Sequence, residues 1–65
     1  MPQDAAELSA LASALTEVQR RVSALAERAA ASRDEELATE LFAIERALTG
    51  ASRRLDRLTS TRRRG

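Results

Sequence analysis

Two apolar ridges run along the chain. In the first, Leu8, Leu11, Leu15, Val18, Val22, Leu25 and Ala29 recur at alternating steps of three and four; in the second, Leu37, Leu41, Ile44, Leu48, Ala51, Leu55 and Leu58 do the same. That alternation holds one stripe on one side of an α-helix and is the pattern of a coiled-coil seam. The ridges are out of phase. Continued forward, the first would fall on Ser32, Glu36 and Thr39, whereas apolar residues resume at Leu37 and Leu41. One uninterrupted seam is therefore excluded, and a turn belongs between Ala29 and Leu37.

The pattern predicts an all-α fold: an antiparallel two-helix hairpin, coiled-coil-like, that doubles into a four-helix bundle. As a single domain over residues 1–65, it divides into a first helix over about 4–31, a turn over about 31–34, a second helix over about 33–60 and a basic tail over 61–65. Pro2 suits a first helical turn and Asp4 the positive end of the helix dipole. At the turn, Ser32-Arg33-Asp34-Glu35 fits a capping box, and Asp34, Glu35 and Glu36 load the start of the second helix with negative charge. Between these points the chain is mostly Ala, Leu, Glu, Arg and Gln, all strong helix formers, with Gly50 a weak interior residue costing about 1 kcal/mol against Ala.

Folding the chain about residue 33 brings ridge onto ridge. Leu8 then faces Leu58, Leu11 Leu55, Leu15 Ala51, Val18 Leu48, Val22 Ile44, Leu25 Leu41, and Ala29 Leu37. The same fold sets Asp4 and Glu7 beside the basic end of the second helix, and Arg28 across from Glu40. These fourteen ridge residues are the expected hairpin seam.

A hairpin covers its seam on one side only, so a further contact surface is expected. One flank carries Ala5, Ala12, Gln19 and Ala26 from the first helix and Ala38, Glu45, Ser52 and Thr59 from the second, with Phe42 and Thr49 beside it. This flank is small and nearly uncharged, and Phe42 is the single aromatic residue of the chain. It is the expected oligomer or partner face, with Phe42 as its anchor. The opposite flank, with Glu7, Arg21, Arg28, Glu40 and Arg54, reads as solvated.

Composition narrows the chemistry. Sixty-five residues make one small domain with a marginal core, and the absence of Cys and His removes disulfides, structural zinc and thiol- or imidazole-based catalysis. Glu36 and Glu40 lie one turn apart, yet no Glu-x-x-His accompanies them and they flank the ridge. No catalytic residue, metal site or cofactor is expected, and the chain reads as non-enzymatic. All eleven basic residues are Arg and Ala is abundant, a bias that points to a GC-rich, bacterial genome. Apolar runs are short and no basic-then-hydrophobic leader is evident, so neither a membrane span nor a secretory signal is expected and a cytoplasmic protein is.

Charge is uneven. Three Arg oppose four carboxylates over residues 1–32, two oppose five over 33–52, and six oppose one over 53–65. Arg53, Arg54, Arg57, Arg62, Arg63 and Arg64 form a basic end suited to phosphate, although no aromatic residues interleave it for base stacking. The sequence thus reads as a protein–protein interaction module, a regulatory, adaptor or scaffolding subunit that associates with itself or another protein. The alternative is a nucleic-acid-associated protein acting through the Arg-rich end.

Overall fold

The computed structural model describes the backbone of residues 2–64 and the side chains of residues 4–61. It consists of two helices, α1 (Pro2–Ala31) and α2 (Glu35–Arg64), packed antiparallel as a hairpin. At about 1.5 Å per residue, each thirty-residue helix is about 45 Å long. The Cα envelope measures 48 × 15 × 11 Å, so the molecule is one layer of two helices lying side by side. α2 continues past the expected end near residue 60. Arg is a good helix former, and its charge at a helix C-terminus opposes the negative end of the dipole.

The reversal of direction is made by two residues whose backbone terminates one helix and starts the next. Arg33 adopts φ 64°, in the left-handed region. The Asp34 amide donates to the Ala29 carbonyl at 2.9 Å and the Arg33 amide to the Ala30 carbonyl at 3.1 Å. This pair of bonds is the Schellman closure, which satisfies carbonyls that the end of α1 would leave without partners. Asp34 then caps α2: its Oδ1 accepts from the Leu37 amide at 3.3 Å, and its carbonyl accepts the first helical bond from Ala38 at 2.9 Å.

The capping box expected at Ser32 is therefore not formed: Asp34, two residues on, caps α2 alone, since Leu37 stands where the reciprocal Glu would be. The Ser32 hydroxyl turns back to the Arg28 and Ala29 carbonyls at 3.0 and 3.2 Å, and so belongs to α1. Left-handed backbone costs a non-glycine residue about 1 kcal/mol, and Gly is the usual occupant of this position. Arg33→Gly is accordingly expected to stabilise the hairpin by about 0.5–1 kcal/mol and to raise its melting temperature by a few degrees. A lowered melting temperature would show that the Arg side chain has a partner worth more than the strain.

Packing between the helices follows a different line from the two ridges. Ala26 is wholly buried and Ala29, Ala38 and Leu41 nearly so, with Val22 packed against them. From this cluster the contact continues through half-buried Gln19, Leu15, Ala12, Leu8 and Ala5 on α1, and through Glu45, Leu48, Ser52, Leu55 and buried Thr59 on α2. These positions also alternate by three and four, but only one row of each ridge takes part: Leu8, Leu15, Val22 and Ala29 on α1, and Leu41, Leu48 and Leu55 on α2. The other row of the seam comes from the flank of Ala, Ser, Thr, Gln and Glu that was expected to meet a partner. The hairpin is rotated about its long axis relative to the seam-on-seam arrangement.

Small residues give the physical reason. Ala5, Ala12, Ala26 and Ala38 in the contact allow the two helices a closer approach than Leu11, Val18 and Leu25 in the same places would. Polar links fix the register of this otherwise smooth seam. Gln19 Nε2 donates to Thr49 Oγ1 at 3.3 Å, and Ser23 Oγ donates to Glu45 Oε2 at 2.6 Å. Thr49 Oγ1 in turn donates to the Glu45 carbonyl at 3.0 Å, and the buried Thr59 hydroxyl to the Leu55 carbonyl at 2.8 Å. Both cross-helix bonds join positions whose numbers sum to 68, close to the expected register. Gly50 faces open space, with nothing within 4 Å of where its Cβ would stand.

Candidate interaction surface

The rotation leaves six large aliphatic side chains outside. Leu11, Val18 and Leu25 immediately precede seam residues on α1, and Leu37, Ile44 and Leu58 immediately precede seam residues on α2. In an antiparallel pair, rows with this relation to the seam emerge on the same side of the hairpin. Their exposures lie between 39% for Leu25 and 53% for Leu11. Ala51 completes the α2 row. These residues, which the ridges assigned to the hairpin seam, are instead an unpartnered face: Leu11, Val18, Leu25, Leu37, Ile44, Ala51 and Leu58.

Between the two rows lie the half-buried Leu8, Leu15, Val22, Leu48 and Leu55, so the side is apolar from end to end. An open groove along it is lined by Leu15, Ala47, Gly50, Ala51, Leu55 and Leu58, together with Arg46 and Arg54. Each helix therefore carries three apolar or small rows per two turns, one facing within the hairpin, one shared and one facing out. A stripe this wide is typical of a core-facing helix with more than one neighbour.

The side opposite is polar. Residues that follow the shared row, Thr16, Ser23 and Ala30 on α1 and Phe42, Thr49 and Asp56 on α2, emerge there. Phe42 is 39% exposed and shares an open groove with Glu45, Arg46, Thr49, Gly50 and Arg53. Phe42 thus lies across the hairpin from the aliphatic side and stands apart from other large apolar groups. Of the residues expected at the partner face, Ala5, Ala12, Gln19, Ala26, Ala38, Glu45 and Ser52 are taken up by the hairpin itself, together with the flanking Thr59. One row of the expected seam and the expected partner flank have thus changed places, while the row of Leu8, Leu15, Val22, Ala29, Leu41, Leu48 and Leu55 stays in the seam.

Charged residues border the aliphatic side. Glu7, Arg21 and Arg28 on α1 and Glu40 and Arg54 on α2 form its outer edges, and all are exposed. The cross-helix pairing expected for Arg28 and Glu40 is not formed. Among the described residues the only ion pair is Arg20 with Glu17, one turn apart on α1, a solvated pair of small energetic weight. At the basic end, Arg53, Arg54 and Arg57 are exposed on the outer side of α2; the side chains of Arg62, Arg63 and Arg64 lie outside the described set.

Among the described residues no group of three carboxylates could hold a metal ion, and no helix is long and apolar enough to cross a membrane. Compared with family models, with curated proteins and with solved structures, the chain finds no match.

Proposed function

We propose that the protein is a small non-enzymatic protein–protein interaction module, a regulatory, adaptor or scaffolding subunit of the cytoplasm, and that the aliphatic side of the hairpin is its docking surface. One observation carries the reading: a single helical layer in which six of the seven exposed large apolar side chains among the described residues, Leu11, Val18, Leu25, Leu37, Ile44 and Leu58, line one side in two rows flanking the shared aliphatic row. A contiguous apolar side rimmed by charge is the mark of an interaction site, whereas scattered exposed apolar residues are ordinary. The surface total agrees. A compact monomer of 7.1 kDa exposes about 4,100 Å². The hairpin exposes 5205 Å², an excess of about 1,100 Å² over that expectation, comparable to one partner's share of a standard interface.

Co-purification from the source cell, comparing the tagged wild type with Leu25→Glu and Phe42→Glu, tests this. Proteins held by the docking side, further copies of the chain included, are expected to be lost with Leu25→Glu and kept with Phe42→Glu. Identical recovery from wild type and Leu25→Glu would remove the reading. The alternative, phosphate binding by Arg53, Arg54 and Arg57, requires affinity for labelled DNA or RNA that falls steeply with salt and survives Leu25→Glu.

A further inference from the structure

We infer that the occupant of the aliphatic side is a second copy of this chain, docked end for end so that the two turns lie at opposite ends of a four-helix bundle. The inference rests on the docking reading above and adds the partner's identity and its orientation. Two hairpins laid face to face about a two-fold axis have two solutions. With the axis along the helices, the turns of both copies sit at the same end and α1 lies on α2 of the other copy. With the axis across the helices, the turns sit at opposite ends and each helix lies antiparallel on its own counterpart.

Charge at the edges separates the two. On α1 the edge reads Glu7 near one end and Arg28 near the other; on α2 it reads Glu40 near one end and Arg54 near the other. A helix with its acid at one end and its base at the other is complementary to itself when reversed. In the end-for-end dimer, Glu7 of each copy meets Arg28 of the other and Glu40 meets Arg54. Four of the five edge charges thereby find opposite partners, none of which they have within the hairpin. With the turns together, only Arg28 and Glu40 meet, while Glu7 and Arg54 face Thr61 and Ala14.

Apolar residues obey the same symmetry. Reversing α1 on itself sets Leu11 against Leu25 and Val18 against its own copy, and reversing α2 sets Leu37 against Leu58 and Ile44 against Ala51. The centres of the two reversals are Val18 on α1 and the Ala47–Leu48 step on α2. In the hairpin, the register given by the Gln19–Thr49 and Ser23–Glu45 bonds puts Val18 level with Gly50. The two centres lie roughly 2.5 residues apart, about 3.8 Å; an axis midway between them slips each set of counterparts by about 3.8 Å along the helices, less than one turn. Edge charges of this kind add little affinity; their part is to set orientation.

Absence of cysteine makes the orientation directly readable. In Val18→Cys, two thiols meet at the axis, and mild oxidation of dilute protein is expected to give a covalent dimer rapidly, whereas Ser13→Cys on the outer side gives little. In the alternative with turns together, the two Val18 positions are diagonal across the bundle and do not bridge. Glu40→Arg is expected to weaken the dimer about tenfold in sedimentation equilibrium, and adding Arg54→Glu to restore it. Restoration by Arg28→Glu in place of Arg54→Glu would overturn the end-for-end arrangement. A wild-type chain that remains a monomer at high concentration would overturn self-association altogether, yet leave standing a docking side whose co-purifying proteins are lost with Leu25→Glu.

Discussion

Ile44→Glu is expected to break the assembly and to melt much of the helix with it. The proposed dimer contains two Ile44 side chains, each 45% exposed in the hairpin, so docking buries about half of each and contributes about 0.7–1.4 kcal/mol per side chain. Losing both, before any cost of bringing two carboxylates against the apolar Ala51 and Leu48, lowers affinity by about 1.5–3 kcal/mol, or roughly 10–10²-fold. In sedimentation the variant should run as a 7.1 kDa chain where the wild type runs at twice that mass.

The loss of helix follows from how little the hairpin buries alone. Its buried apolar set is Ala26, Ala29, Ala38 and Leu41, three of them alanines. Sixty-five residues arranged as one layer leave each helix with a single neighbour, and a stable domain ordinarily needs two layers around its core. In the proposed dimer folding and association are linked, so the wild type should melt at a temperature that rises with protein concentration and the variant at one that does not. A variant that keeps both the wild-type mass and a concentration-dependent melt would show that Ile44 is outside the contact.

The hairpin and its turn were legible in the sequence because a change of phase between Ala29 and Leu37 survives any choice of seam. Register was legible too, to within two residues, since both possible seams share the row of Leu8, Leu15, Val22, Leu41, Leu48 and Leu55. Which flank completes the seam was not legible from hydrophobicity alone. The larger side chains of Leu11, Val18 and Ile44 favour the one flank on transfer free energy, whereas the closer approach allowed by Ala12, Ala26 and Ala38 favours the other, and periodicity is the same for both. Gln19, Ser23, Glu45 and Thr49 held the missing signal. Each is a polar residue placed where a cross-helix hydrogen bond can form only if the small flank faces inward. Nor was the left-handed residue readable as such, because Arg33 stands where a glycine would have announced the turn.

A substitution on the small flank tests that arrangement without reference to any partner. Ala26→Leu adds three carbon atoms at a wholly buried point of the seam, beside Leu41 and close to the turn. Neither helix can yield locally, because the Schellman closure at Ala29, Arg33 and Asp34 ties them together a few residues away. The extra volume has to separate the helices and loosen the Ser23–Glu45 bond as well, at a cost of about 1–3 kcal/mol. A 65-residue protein has a total stability of about 3–10 kcal/mol, so a loss of this size removes a large share of it. Urea denaturation is expected to show a lower midpoint with an unchanged slope, by the same amount at every protein concentration, since the damage lies inside one hairpin. Leu25→Ala, one residue earlier and on the docking side, should instead cost stability chiefly through the dimer, with a loss that depends on concentration. Had the large-residue flank formed the seam, Ala26 would stand at the open edge and its enlargement to Leu would be neutral or stabilising. The sign of the Ala26→Leu effect therefore decides which of two adjacent rows the helices bring together.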